Sequence, residues 1–322
     1  MVCKRYLRSI LWLTVAGLAA IVTFIVVIDP YSEFNVRTTD MRSFEATPLL
    51  TYSHAEKLRH DSYTLVFGTS RSAMIGPDET GGNTLNFHAL YGHPQSVYDF
   101  LTSLDDTQIS HIRSIFYLAD IHVYDPEYYT PPDLYGHVTQ RTLYRLKRIG
   151  PTLRAAVQKF YKNATGRFDR YVDERGYTVF LQDRGHCNLP VRRDPNAVRP
   201  MDDPSQAAYK KIVQFASRHH IEITFATPAF SNPYLASLDP DALMEQKRRL
   251  IEATGGIHDF ITLDHPLTDC AYILDPSHLN KAGIHAYFQL IQDGRRFTRI
   301  PLPVAPTPLG LKLPLDSKRA LR

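Results

Sequence analysis

Two short segments carry side chains that could act together on an acyl ester. The first, Gly68-Thr69-Ser70-Arg71, follows an apolar run directly and precedes a polar loop. A serine so placed stands at the carboxyl edge of a sheet, and the glycine permits the sharp turn that presents its hydroxyl. Taken alone, such a tetrapeptide more often serves as a helix cap or phosphate ligand. The second, Asp275-Pro276-Ser277-His278-Leu279-Asn280, lies just ahead of the last helical pattern. An aspartate three residues before a histidine can fold its carboxylate onto Nδ1 and leave Nε2 for a serine hydroxyl. Ser70, His278 and Asp275 therefore read as nucleophile, general base and orienting carboxylate, with Ser72 the nearest rival nucleophile.

These segments need a scaffold. Short apolar, β-rich runs occur at 63–67, 84–87, 112–118, 221–226 and 260–263, separated by helical patterns at 94–104, 204–219, 239–253 and 280–292. Strands alternating with helices predict an α/β fold: a three-layer αβα sandwich around a five-stranded, mostly parallel sheet, with ligands at the carboxyl ends of the strands. The alternation stops between about 124 and 201, in an insertion rich in Tyr, Arg and Pro. Within it, 134–161 has helical periodicity interrupted at Gly150-Pro151, with Arg141, Arg145, Lys147, Arg148, Arg154 and Lys159 at polar positions. The expectation there is a solvated basic face; the sharper alternative is an amphipathic surface toward anionic lipid or a membrane partner. Tyr124, Tyr128, Tyr129 and Tyr135 are expected to pack, a sugar-stacking wall being the alternative.

At this point the sequence resembles the SGNH (GDSL-like) hydrolase superfamily over about 60–295, the insertion excepted. The family's first block, Gly-Asp-Ser, is matched by Gly68-Thr69-Ser70, with Thr where Asp is usual; its last, Asp-x-x-His, is matched by Asp275 and His278. The resemblance implies a flavodoxin-like αβα sandwich with Ser70 as nucleophile, His278 as base and Asp275 as orienter. Of the two middle blocks that supply oxyanion donors, the glycine after the second strand corresponds to Gly92, one residue long in its offset from Asn86. The Gly-x-Asn-Asp block is replaced by Tyr117-Leu118-Ala119-Asp120, so its Asn has no counterpart. An ionised Asp120 cannot stabilise an oxyanion. It is expected to cap the following loop, a substrate hydroxyl being the alternative. The donors left are the backbone N–H groups of Ser70 and Gly92, with Arg71 as an extra.

The chain has 322 residues, net charge +4 and 43% hydrophobic residues, which fits a folded protein and excludes disordered, collagen-like and coiled-coil classes. Residues 9–28 carry no charge and are long enough to cross a bilayer as a helix. Lys4, Arg5 and Arg8 precede them, so the positive-inside rule puts 1–8 in the cytoplasm and the rest on the far side of the inner membrane. A retained anchor is expected over a cleaved signal peptide, because the run is long and ends in bulky residues. A lead-in at 29–60, an SGNH-like domain at 61–298 and a mobile Pro-rich tail at 299–322 complete the organisation. Beyond the anchor the charge is almost balanced and gives no nucleic-acid footprint. Cys187 and Cys270 are the two thiols left on the exported side, forming either one disulfide or two separate buried thiols. The histidines lack metal-ligand spacing, so no metal and no cofactor is expected.

The anchor, the exported domain and the GTSR block together look like the subgroup that works beside membrane-bound O-acyltransferases, which includes the D-alanylation protein of teichoic acids and alginate acetylation proteins. That resemblance implies a serine esterase or O-acyltransferase acting on an envelope glycan, most plausibly with acetyl groups. A non-catalytic SGNH-like scaffold or glycan-binding accessory is the competing reading. A phosphate-binding α/β protein is disfavoured, since the Gly-rich loop and its lysine are missing.

Overall fold

Tyr63-Thr-Leu-Val-Phe67 is buried at every position, the pattern of a strand covered on both faces, and it lies inside the sheet, one strand in from an edge. The computed structural model describes residues 2–31, 43, 46–125, 128–131, 138–167, 169–173, 175–181, 191, 198–261, 266–294 and 297–298. Its helices are α1 (Val2–Ile28), α2 (Leu50–Lys57), α3 (Pro77–Thr80), α4 (Pro94–Thr102), α5 (Asp106–Ser110), α6 (Val138–Lys147), α7 (Ile149–Thr165), α8 (Asp203–Arg218), α9 (Asn232–Ser237), α10 (Pro240–Thr254) and α11 (Lys281–Gln292). Its strands are β1 (Tyr63–Phe67), β2 (Thr84–Asn86), β3 (Ile112–Leu118), β4 (Arg170–Val172), β5 (Thr178–Phe180), β6 (Glu222–Ala226), β7 (Ile257–His258), β8 (Ile273–Asp275), β9 (His278–Leu279) and β10 (Phe297–Thr298).

The main sheet runs β10-β7-β6-β3-β1-β2. Five strands, β2-β1-β3-β6-β7, are parallel, and β10 is antiparallel at the β7 edge. This sixth strand lies beyond the five that periodicity suggests; two residues are too short to leave a pattern. The chain leaves β1 toward β2 and then returns past it to β3, so the order reverses between β1 and β3. Ligands of open parallel sheets bind at such a reversal, at the carboxyl ends of the strands.

Alternation along the strands divides the core in two. Leu65, Phe67, Ile115, Tyr117 and Phe225 face one layer with Val97 and Phe100 of α4 and Tyr209, Ile212 and Phe215 of α8. Val66, Phe116, Leu118 and Ala226 face the other, against Ile284, Tyr287 and Phe288 of α11. Each fully buried Leu or Phe side chain contributes about 1.5–3 kcal/mol relative to exposure, so both layers are needed to hold the sheet flat against its helices. Helix starts follow capping chemistry: the Asp202 carboxylate accepts from Ser205 N–H at 2.8 Å, and Asn280 Oδ1 accepts from Gly283 N–H at 2.8 Å.

Four expectations are corrected. The fifth strand is Ile257–His258, and Phe260 and Ile261, where the run 260–263 begins, lie outside it; 262–263 fall outside the described residues. Phe260 N–H donates to Thr227 Oγ1 and Ile261 N–H to Asp259 Oδ1, so side chains take the backbone groups that a ladder would use. The expected lead-in contains α2, whose Ala55 joins the core together with the adjacent Leu58. In the insertion the helix breaks at Arg148, and Gly150-Pro151 lie in the first turn of α7, where proline costs no hydrogen bond. Lys159, expected on a solvated face, is buried.

Tyr6–Ile28 of α1 is long and apolar enough to cross a membrane, with mean hydropathy 2.6 and 6% of it buried. Cys270 is disulfide-bonded. Cys187, Tyr135 and the tail from 299 lie outside the described residues.

Candidate active site

β1 ends at Phe67, and Gly68 takes φ +153°, with a Cβ there lying 2.7 Å from Ser72 Oγ; glycine is required for the chain to turn this tightly. The turn enters a short 3-10 helix, Ser70–Ser72, whose N-cap Thr69 accepts from Arg71 N–H at 3.3 Å. Ser70 is exposed at the carboxyl edge of β1. Ser72, the rival nucleophile, is fully buried and donates to the Thr69 carbonyl at 2.8 Å.

On the far side of the site β8 and β9 form a tight hairpin in which Asp275 pairs directly with His278 across the Pro276-Ser277 turn. Cross-strand partners point the same way. Asp275 Oδ1 and Oδ2 each lie 2.9 Å from His278 Nδ1, and His278 Nε2 lies 2.9 Å from Ser70 Oγ. The turn is held by two side chains and the base of its hairpin by a third. Ser231 Oγ donates to the Pro276 carbonyl at 2.9 Å, Arg71 Nε donates to the Ser277 carbonyl at 2.9 Å, and Asn280 Nδ2 donates to the Ala271 carbonyl at 2.7 Å.

Burial pushes the Asp275 carboxyl up, but the bond and charge of His278 and the two contacts from Ser277 outweigh it and hold the group at about 2. Asp275 is therefore ionised throughout the neutral range and fixes the imidazole with Nε2 free to accept. Ser277 contributes a bond that spacing alone does not flag: its Oγ donates to Asp275 Oδ1 at 3.0 Å and lies 3.1 Å from His278 Nδ1. The hydroxyl between the aspartate and the histidine in the tetrapeptide was the available signal.

Gly92 follows β2 with φ +64°, and its Cα region sits so close to Gly68 that an added Cβ would lie 2.8 Å from Gly68 Cα. The buried Tyr117 hydroxyl donates to the Gly92 carbonyl at 2.5 Å, tying this loop to β3. Among the described residues, neither Ser70 N–H nor Gly92 N–H donates to a protein acceptor. Two backbone donors therefore remain next to the serine.

The other residues singled out by sequence are committed elsewhere. Arg71 Nη1 donates to Asp120 Oδ2 at 2.5 Å and its guanidinium lies 5.0 Å over the Phe230 ring, so with its bond to Ser277 it acts as a strut between these segments. Asp120, at the end of β3, has no exposed side-chain surface and also accepts from Thr69 Oγ1 at 2.5 Å; it neither caps the loop nor reaches solvent. Burial pushes its carboxyl up, but the charges of Arg71 and His122 and the bonds from Thr69 and Arg71 carry it below the usual carboxylate range. Asn86 donates through Nδ2 to the carbonyls of Ser72 and Ile75 at 2.7 and 3.0 Å, and its Oδ1 accepts from His88 N–H at 2.9 Å. It braces the nucleophile turn from beneath.

The insertion reaches the same turn. Thr178 N–H donates to the Ala73 carbonyl at 2.6 Å, and Asn86 N–H donates to the Arg175 carbonyl at 2.8 Å, so the β4–β5 hairpin buttresses the edge of the sheet beside Ser70–Ser72. Tyr124 is a core residue, its hydroxyl 3.4 Å from that of Tyr209. Tyr128 packs on Tyr91, and Tyr129 on His93, flanking Gly92.

Fold and site thus define an α/β protein with a serine, a histidine and an aspartate joined in one hydrogen-bonded chain at the sheet's reversal point. A scan against protein-family models finds no match, and a search of curated proteins likewise finds none.

Proposed function

We propose that the protein is a membrane-anchored, exported serine acyl-ester enzyme with an SGNH-like, flavodoxin-type sandwich, moving acyl groups, acetyl foremost, on or off an envelope polysaccharide. The observation that carries this reading is the bond series Ser70 Oγ, His278 Nε2, His278 Nδ1, Asp275, with the serine open to solvent. In the cycle, Ser70 Oγ bonds to the acyl carbon as His278 Nε2 takes its proton, and the carbonyl electron pair moves onto oxygen. The N–H groups of Ser70 and Gly92 supply the donors for that oxyanion. Collapse expels the alcohol, which leaves with the proton from His278, and an acyl-serine remains. Water or a sugar hydroxyl then attacks it, losing its proton to His278; collapse releases the free acid or the new ester, and Ser70 Oγ leaves with the proton from His278. Asp275 stays ionised throughout and stabilises the imidazolium.

In this reading α1 is a retained anchor with residues 1–8 cytoplasmic, and the envelope glycan and a membrane-bound O-acyltransferase are the partners. Acetate release from 4-nitrophenyl acetate and an acetylated oligosaccharide tests it. The full chain should turn over at least one of them, and Ser70→Ala and His278→Ala should abolish that turnover while keeping the melting profile. Full activity in Ser70→Ala on every ester tried would sink the mechanism.

A second reading, a non-catalytic scaffold for a membrane acyltransferase, draws on one observation. Just past the end of β3 stands Asp120, an acceptor-only carboxylate occupied by Arg71 and Thr69, where a side-chain oxyanion donor would be needed. An inert full chain that still co-purifies with a membrane acyltransferase would favour it.

A further inference from the structure

The insertion meets α1 at a surface that the serine chemistry does not use. Ile25 and Ile28, in the last turn of α1, pack on Ala156 of α7, with Phe24 and Leu153 at the margin, and the Phe24 and Phe160 rings meet edge to face at 6.5 Å. Lys159 donates to the carbonyl of Asp29 at 2.7 Å and to Ser43 Oγ at 3.1 Å, a cation placed at the carboxyl end of α1 where the helix dipole favours it. The α6–α7 segment is thereby fixed at one end of a helix whose 23-residue stretch is long and apolar enough to cross a membrane. That stretch rises about 34 Å, against a hydrocarbon core of about 30 Å. With α1 across a bilayer, the segment sits at the level where α1 leaves it.

Its outward face is apolar. Leu143, Leu146, Ile149, Val157, Phe160 and Tyr161 are 37–58% exposed, continuous with the exposed Val22 and Val27 of α1. A groove of about 160 Å³ runs between the two, lined by Val22, Ile25 and Val26 on one side and Arg145, Leu146 and Ile149 on the other. Charge is one-sided as well: besides the buried Lys159, residues 138–165 contain six Lys and Arg and no Asp or Glu. Apolar and cationic surfaces combined on one short element match the boundary between acyl chains and anionic headgroups.

We propose that the α6–α7 segment is a second, interfacial membrane contact, lying in the headgroup–acyl boundary of the leaflet from which α1 emerges. Its apolar face enters that boundary and its cations meet lipid phosphates, which sets the orientation of the domain above the bilayer. The inference rests on α1 spanning a bilayer and not on the chemistry at Ser70.

The test uses the full chain in phosphatidylcholine/phosphatidylglycerol vesicles. Trp12 is the single tryptophan, so a Trp12→Phe background accepts one reporter at a time: Val157→Trp, Phe160→Trp, or Met244→Trp on α10 as an exposed control outside α6–α7. Val157 and Met244 are exposed, and Phe160, half exposed where its ring meets Phe24, keeps an aromatic ring there as Trp. Reporters at 157 and 160 should shift to the blue and lose emission to lipids carrying a doxyl group near the headgroup, while the reporter at 244 should do neither. Reporters at 157 and 160 that behave like the one at 244 would overturn the proposal. A blue shift without quenching by lipid would mean that a second copy or another protein covers the face, and would overturn it too. Native Trp12 is read separately with doxyl at the chain end; no quenching there removes the spanning premise and this proposal with it, leaving the serine reading untouched.

Discussion

Arg71 Nη1 donates to Asp120 Oδ2 at 2.5 Å, and this ion pair ties the end of β1 to the end of β3 at the point where the strand order reverses. Because Arg71 Nε also holds the Ser277 carbonyl, one guanidinium links the turns that carry Ser70 and His278. Removing the arginine strands a fully buried carboxylate. Arg71→Ala should therefore cost about 3–5 kcal/mol, the usual consequence of breaking one side of a buried pair. Thermal or urea unfolding checks this, and the double variant Arg71→Ala/Asp120→Ala should lose less than the single one.

Gly92 sits against Gly68 with a left-handed backbone. Gly92→Ala adds about 1–2 kcal/mol of backbone strain and drives a methyl into Gly68 Cα. The loop must move, and with it both backbone donors beside the serine. We expect a large fall in kcat with a smaller fall in melting temperature, measured on one ester substrate.

Asp275→Asn should keep the fold, lose the ionised partner of Nδ1 and lower kcat by on the order of 10⁴, as an equivalent change does where the carboxylate sets the histidine tautomer. Labelling by a serine-directed reagent should slow in parallel. Rates unchanged in this variant would remove Asp275 from the mechanism.

The folded carboxyls of Asp275, held at about 2, and Asp120, held below the usual range, both lie under their unfolded values. The sign follows: the unfolded chain binds more protons there, so both groups stabilise the fold above about pH 4 and that contribution is lost as pH falls through the folded values. Melting curves from pH 7 down to strong acid should show this loss, reduced in Asp120→Asn.

Lys159 behaves in the opposite range. Burial lowers its ammonium to about 8 against the opposing pull of Asp29. Between that value and the ordinary lysine range the unfolded chain binds the extra proton, so stability gains as pH rises through this window and drops back below it. The difference in melting temperature between the native chain and Lys159→Met should follow that slope.

Much of the site was legible in the sequence because it lies on local patterns. The β1 run, the glycine after it and the Asp-x-x-His spacing each express short-range geometry, and a hairpin as tight as β8–β9 leaves the aspartate and histidine little choice but to face each other. What stayed hidden depends on contacts between distant segments. Arg71 and Asn86 look like substrate ligands from their neighbours, yet Arg71 is held by Asp120, 49 positions away, and by Ser277, and Asn86 is spent on the carbonyls of Ser72 and Ile75. Lys159 reads as a solvated cation from helical periodicity and is buried because Asp29 and Ser43 come to it. The strand at 257–258 was misplaced because hydrophobicity continues past it, into residues whose backbone is held by side chains.

The central claim is that Ser70 is an activated nucleophile. The most direct measurement is peptide mass mapping of the full chain after a fluorophosphonate probe, beside Ser70→Ala and His278→Ala. The account predicts a phosphonyl adduct on Ser70 in the native chain, none in Ser70→Ala and strongly slowed labelling in His278→Ala. A folded native chain that takes up no probe, or labelling at Ser70 that is indifferent to His278, would contradict it.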